Sequence, residues 1–364
     1  MLMTPGPTEV PERVREAMAR PIANPDIDPA FLDTYRSLRS DLAAVYGTEK
    51  DVVVLGGEGV LGLEAAVAST VASGDRVLCV ANGLYGEYFA EFVASQGAEP
   101  VLCSFPADDP IDPDAVRGAI EKAARDGEDF AAATFVHCET PTGTINDLEA
   151  ALGHCREAGV LTIVDAVSSL GGTSVPVGDI DLCIGASQKC FSAPPGLTTL
   201  AVSEAAWEHI EATDSRGLYT DLELWRDVAE TGEFPYTHLV SNCYGLAETV
   251  SMLLEEGLEA VFKRHEASAK RCRELGAGIG LDTDTEEPLC SPTVTAFEVE
   301  NALAIQGELH EKHDIVVGTG LADREDDLIR IGHMGYNADL ERVERTMDAL
   351  EDVLDDPDDS GTGY

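Results

Sequence analysis

The chain has 364 residues, with 68 Asp plus Glu against 24 Lys plus Arg, a formal net charge of −44 and a pI near 4.2. Such a surface repels nucleic acid and anionic membranes, and no apolar run approaches the roughly 18 residues a membrane span needs, so both partner classes are excluded. Nine cysteines, an odd number with no CxxC pair, and no basic-then-apolar leader pattern point to buried thiols in a reducing cytoplasm.

In chain order, Thr4-Pro5-Gly6-Pro7 is too proline-rich for an element interior, and Pro11 to Met18 reads as a short helix. Residues 21–30 hold three prolines and form an ordered loop, after which a helical period runs from Phe31 to Tyr46 and stops at Gly47. Strand and helix then alternate. Val52–Leu55 is strand and Gly59–Val71 helix; Arg76–Val80 is strand and Leu84–Ser95 helix. Pro100–Ser104 is strand, followed by helix from Asp112 to Ala124; Ala132–His137 is strand, followed by helix from Asn146 to Ala158. Leu161–Asp165, Asp181–Ile184 and Leu197–Val202 complete the strands, and 203–230 is acidic and helical. Continuous apolar strands separated by helices indicate an α/β fold, a mostly parallel sheet covered on both faces, with ligands outside the strands' carboxyl ends.

After the Phe234–Thr237 loop, one long helix is expected from Leu239 to Leu275. A smaller α/β unit follows. It comprises strand Thr293–Val299, helix Ala302–Lys312, strands Ile315–Val317 and Leu328–Ile331, and helix Ala338–Leu354. The expected division is an N-terminal arm (1–20), a large domain (21–250), a small C-terminal domain (251–354) and a solvated tail (355–364).

Three groups fall at strand ends. Leu55-Gly56-Gly57-Glu58-Gly59 precedes a helix and reads as a phosphate cradle or a plain turn. Asp165 ends an apolar strand and needs a partner, either backbone donors or a ligand cation. Lys189, in Ser187-Gln188-Lys189-Cys190, is one of six lysines. It is either a snorkelling or ion-paired side chain, or a desolvated amine able to form a Schiff base. Tyr85 is either an ordinary core aromatic or a flat ring face for stacking; with the latter, the set describes a pyridoxal phosphate pocket, the aspartate pairing with the ring nitrogen and the lysine carrying the cofactor.

These pieces, together with Ala81-Asn82-Gly83, His137-Cys138-Glu139-Thr140, Val164–Ser169 and Arg330-Ile331-Gly332-His333-Met334-Gly335, resemble the class V aminotransferases of the fold-type I pyridoxal phosphate enzymes, in the alanine/serine–glyoxylate branch. The resemblance implies a seven-stranded, mostly parallel large domain, a smaller C-terminal domain and a homodimer with shared active sites. It implies that Lys189 is the Schiff-base lysine and Asp165 the ring-nitrogen partner. Tyr85 matches a ring-stacking aromatic and Thr140 a hydroxyl near the phenolic oxygen, while Glu58, Gly59, Val60, Val167 and Gln188 match cofactor contacts. Thr237 matches a phosphate contact supplied by the partner subunit, and Arg330, with Gly6, the substrate's carboxylate site. The implied reaction moves an amino group from an alanine- or serine-class amino acid to a 2-oxo acid such as glyoxylate or pyruvate.

Two departures stand out. Glu58 replaces a small hydroxyl residue, so its carboxylate is expected to turn away from the phosphate. Segment 23–28 lacks the branch's Gly-His-Arg pattern at the substrate mouth. A lyase or a cysteine desulfurase shares this fold; the latter requires a mobile thiol, for which Cys290 is the late candidate. The charge balance resembles adaptation to concentrated salt.

Overall fold

The computed structural model describes residues 1–107, 109–214 and 217–355. Helices α1 (Glu12–Met18) and α2 (Pro29–Tyr46) come first. Asp28 caps α2 by accepting from the Ala30 amide, Pro29 occupies its first turn, and Gly47 ends it in the left-handed region, the residue types these positions favour. Next come β1 (Asp51–Gly56), α3 (Gly59–Thr70), β2 (Arg76–Ala81), α4 (Leu84–Ser95), β3 (Glu99–Ser104) and α5 (Pro113–Asp126). Strand β4 (Ala132–Val136) leads into a hairpin that periodicity did not show, β5 (Cys138–Glu139) and β6 (Thr144–Ile145). Helix α6 (Glu149–Ala158), β7 (Leu161–Asp165), β8 (Leu182–Ala186) and β9 (Leu197–Val202) follow.

Seven strands form one sheet in the order β1-β9-β8-β7-β4-β2-β3. The run from β8 to β3 is parallel, whereas β9 is antiparallel to both neighbours. The reason is the short link from β8 to β9, since a parallel neighbour requires a crossover of roughly a dozen residues or more. Strands β1, β8, β7, β4 and β2 therefore all present their carboxyl ends at one edge. Their interiors are nearly all buried on both faces, which is why they read as continuous apolar runs.

The acidic stretch resolves into α7 (Glu204–Ala212) and the short α8 (Val228–Thr231). The expected long helix is two, α9 (Val240–Glu256) and α10 (Leu258–Gly278). Gly257 breaks it with φ 85° and ψ 129°, a combination open to glycine because it lacks Cβ. Helical periodicity continues across that residue, so the pattern conceals the break. Strand β10 (Thr295–Glu298), α11 (Ala302–His313), β11 (Gly318–Thr319), β12 (Leu328–Ile331) and α12 (Leu340–Asp355) complete the described chain, with a three-stranded antiparallel sheet ordered β10-β12-β11. The expected strand 315–317 instead meets the N-terminus, Met3 N donating to Val316 O and Val316 N to Met1 O. Met3 is fully buried in a second apolar cluster with Phe297, Ile331 and Leu350, separate from the large cluster around the seven-stranded sheet. Beyond Asp355 the expected tail lies outside the described residues.

Candidate active site

A narrow cleft opens at the carboxyl edge of the large sheet, where the loops after β1, β2, β4, β7 and β8 meet. Gly59, the first residue of α3, brings backbone to its floor; a Cβ there would stand 3.0 Å from Val167 Cγ2 and 3.2 Å from Ala186 Cβ. Val60 and Val167 line the same end. Glu58 occupies the N-cap of α3, but its carboxylate does not turn away as expected. Oε1 accepts from Val60 N at 3.1 Å and Oε2 from Gln188 Nε2 at 3.2 Å. The unpaired amides of a helix start attract an anion, and the nearest one is the chain's own.

Asp165 ends β7 and is buried; Oδ1 accepts from Val167 N at 2.8 Å. Burial pushes its carboxyl up to about 6, against the pull of that hydrogen bond and of Lys189. Lys189 lies just beyond β8, half-buried, with Nζ donating to Pro5 O at 2.6 Å. Desolvation, reinforced by the positive charge of Arg330 and opposed by Asp165, lowers its amine to about 8. Gly6 makes room for this side chain: at φ +123° it is strained for any other residue, and a Cβ would sit 2.5 Å from Lys189 Cδ. In this structure Gly6 thus shapes the lysine's channel.

Tyr85 lies in the first turn of α4 and lines the cleft. Its position depends on Glu139, a fully buried carboxylate whose two oxygens accept from Tyr85 N at 3.2 Å and Gly86 N at 2.8 Å. Burial raises the Glu139 carboxyl to about 7. Residue 83 must be glycine here, since a Cβ would fall 2.5 Å from Glu139 Cδ. The Glu139 side chain replaces the N-cap side chain that α4 lacks. Sequence reasoning assigned it no role, although its motif was noted. Thr140 hydrogen-bonds Ser168, and both line the cleft with Leu63; Ser168 and Leu63 were also unassigned.

Arg330 lies on β12, its side chain reaching from the small sheet toward the cleft. Only 7% exposed, it is pinned by Nε to Thr319 O at 2.6 Å and Nη1 to Thr140 O at 3.4 Å. Its charge is felt by both Lys189 and Tyr85. Thr237 does not line the cleft of its own chain. It is exposed, beside Tyr236, whose hydroxyl accepts from Gly56 N at 3.0 Å, and it does not cap α9, where Leu239 holds the N-cap. Cys290 also lies outside; its thiol donates to Thr285 O at 3.0 Å and burial raises its pKa, opposite to what a nucleophilic thiolate requires.

Tested against pyridoxal phosphate, the residues fit its aldehyde, ring and ring nitrogen through Lys189, Tyr85 and Asp165. The phosphate end fits less well: the start of α3 is there, but Val60 N and Gln188 Nε2 already donate to Glu58, and the buried Gln188 Oε1 is an acceptor without a partner. The sequence model of the family described as Aminotransferase class-V matches residues 2–323. An uncharacterized aminotransferase of Methanocaldococcus jannaschii is 36% identical over 94% of this chain and 89% of its own. A pyridoxamine–pyruvate transaminase of Mesorhizobium japonicum is 32% identical over 92% and 86%. The crystal structure of an alanine–glyoxylate aminotransferase from Nostoc sp. superposes with a TM-score of 0.92 at 30% identity, over 97% of this chain and 94% of that one. The chain belongs to the class V aminotransferase family and is a pyridoxal phosphate-dependent transaminase.

Proposed function

We propose that this transaminase takes its amino group from a small amino acid of the alanine or serine class and passes it to a 2-oxo acid such as glyoxylate or pyruvate. The observation that carries this reading is Arg330, a buried guanidinium that donates to the backbone of the cleft-lining Thr140 and lies within electrostatic range of Lys189, while the cleft lining itself holds no arginine among the described residues. One guanidinium serves one carboxylate, in a planar two-point contact. The names of the alanine–glyoxylate and pyridoxamine–pyruvate relatives point the same way for the acceptor.

When bound, pyridoxal phosphate supplies an electron sink that stabilises negative charge at the substrate Cα. The chain does the rest. Arg330 would hold the substrate carboxylate, Asp165 would keep a proton on the ring nitrogen, and Tyr85 would cover one ring face. Lys189 would hold the cofactor's aldehyde carbon, and its neutral Nζ would take the proton from Cα; the lowered pKa leaves about half of the amine neutral near pH 8. Gly59, Val60 and Gln188 would lie at the cofactor's phosphate end, and Thr140 at its phenolic side. The test is a half-reaction screen in which holoenzyme meets single amino acids and the cofactor's aldehyde absorption converts to that of the amine. Alanine or serine should convert it fastest; aspartate or glutamate as the best donor would overturn the small-substrate assignment.

Our reading also makes the enzyme a homodimer in which Thr237 reaches the phosphate of the neighbouring subunit. Its exposure and its place outside its own cleft support this. Lys189→Ala and Thr237→Glu should each be inactive alone. Mixed by subunit exchange, half the dimers are hybrids with one intact site, so roughly a quarter of sites should recover. No recovery would assign Thr237 to its own chain.

A salt-adapted, cytoplasmic enzyme accounts for the charge and for nine unpaired cysteines. Several arginines are each shared by two carboxylates, Arg13 by Glu248 and Glu255, Arg76 by Glu99 and Glu128, Arg226 by Glu204 and Glu211. With 68 acids against 24 Lys plus Arg, protein cations are too few to pair them all. Melting temperature and activity should rise from dilute buffer to molar KCl as the Debye length falls to a few ångströms; a flat or falling curve would refute salt adaptation.

A further inference from the structure

The phosphate end of the cleft is furnished with acceptors. Glu58 places its carboxylate on Val60 N and on Gln188 Nε2, at 3.1 and 3.2 Å. Those are two donors an acceptor-only phosphate would need. Gln188 is 7% exposed and leaves Oε1 buried without a partner. Its orientation is set by Glu58, because a reversed amide would put oxygen against carboxylate. Apart from Lys189, which donates to Pro5 O, no lysine or arginine lines the cleft among the described residues. A phosphate brought to α3 meets a like charge, an orphan acceptor and occupied donors; a hydroxyl brings a proton to give.

The geometry points to Glu58 as a selectivity residue that admits the unphosphorylated forms of the cofactor, pyridoxal and pyridoxamine, as exchangeable ligands. Their 5′-hydroxyl donates to the Glu58 carboxylate. The phosphate ester binds after that carboxylate has left the start of α3, a movement its exposed position allows. This inference rests on the cleft being the cofactor site, and it concerns which vitamer the site holds and how tightly.

The test is titration calorimetry on ligand-stripped protein in molar KCl, with pyridoxal and pyridoxal 5′-phosphate as probes, on wild type, Glu58→Ser and Glu58→Gln. Serine keeps an N-cap oxygen on α3, so the helix start survives; circular dichroism checks the fold. In wild type the two Kd values should lie within about tenfold of each other. Glu58→Ser should tighten the phosphate ester and weaken pyridoxal, moving their ratio by roughly a hundredfold, the scale of one charge-assisted hydrogen bond. Glu58→Gln, which removes the charge and keeps the shape, should move it the same way by at least tenfold. A ratio that moves less than tenfold in both variants overturns the role of Glu58. If neither probe binds any of the three proteins, the cleft is not the cofactor site, and that outcome removes the underlying reading along with the proposal.

Discussion

Replacing Lys189 with methionine is expected to abolish transamination and, in the cofactor-free protein, to raise stability. Activity fails because no other lysine lines the cleft among the described residues, so nothing else can join the cofactor or remove the Cα proton. Stability rises because the wild-type fold holds a desolvated ammonium. Its pKa falls from 10.5 to about 8, which corresponds to roughly 3 kcal/mol of unfavourable free energy near pH 7. Methionine is of similar length and carries no charge. The variant forfeits the hydrogen bond to Pro5 O, worth about 1 kcal/mol, leaving a net gain of about 2 kcal/mol. The sign with pH follows from the shift. Below pH 8 the amine is charged in both states and the penalty is complete. Between pH 8 and 10.5 the native amine is neutral while the unfolded one is still protonated, so wild-type stability climbs with pH and the advantage of the variant shrinks. Thermal melts of both cofactor-free proteins at pH 7 and pH 9.5 check this. A variant less stable than wild type at pH 7 would show that the lysine is not strained. Borohydride reduction followed by peptide mapping would find the phosphopyridoxyl group on another peptide if the assignment of Lys189 were wrong.

Substituting Arg330 with lysine should lower kcat/KM by roughly a hundredfold, mainly through KM. The guanidinium is held in its plane by Thr319 O and Thr140 O and lies almost wholly buried. Lysine keeps the charge but presents a point donor on a flexible stem, so it cannot serve the Thr319 carbonyl and both oxygens of a carboxylate together. Losing one charge-assisted contact costs about 1.5–3 kcal/mol, a factor of roughly 10 to 150. The loss should be similar for every amino acid tried, since all share the α-carboxylate. Unchanged steady-state kinetics would remove Arg330 from the substrate site.

How far the residues alone carry this picture depends on the range of the interaction. Helix α4 and strands β7 and β12 have the bounds read from periodicity, and Gly47 stops α2 where expected, because these features depend on neighbours a few positions away. The strand-end positions of Asp165 and Lys189 were legible for the same reason. Tertiary structure alone decided the antiparallel return of β9, set by a short link, and the break at Gly257, which a continuous apolar stripe conceals. It also placed Glu139 beneath Tyr85 and brought Arg330 within range of Lys189. Glu58 is the sharpest case. From sequence, two like charges side by side argued that its carboxylate turns away; in the fold, the Val60 amide at the helix start and the side-chain amide of Gln188 converge on it and hold it at the start of α3. Local pattern encodes which element a residue joins. Its partner is chosen by chain closure over long separations, and composition carries no record of that choice.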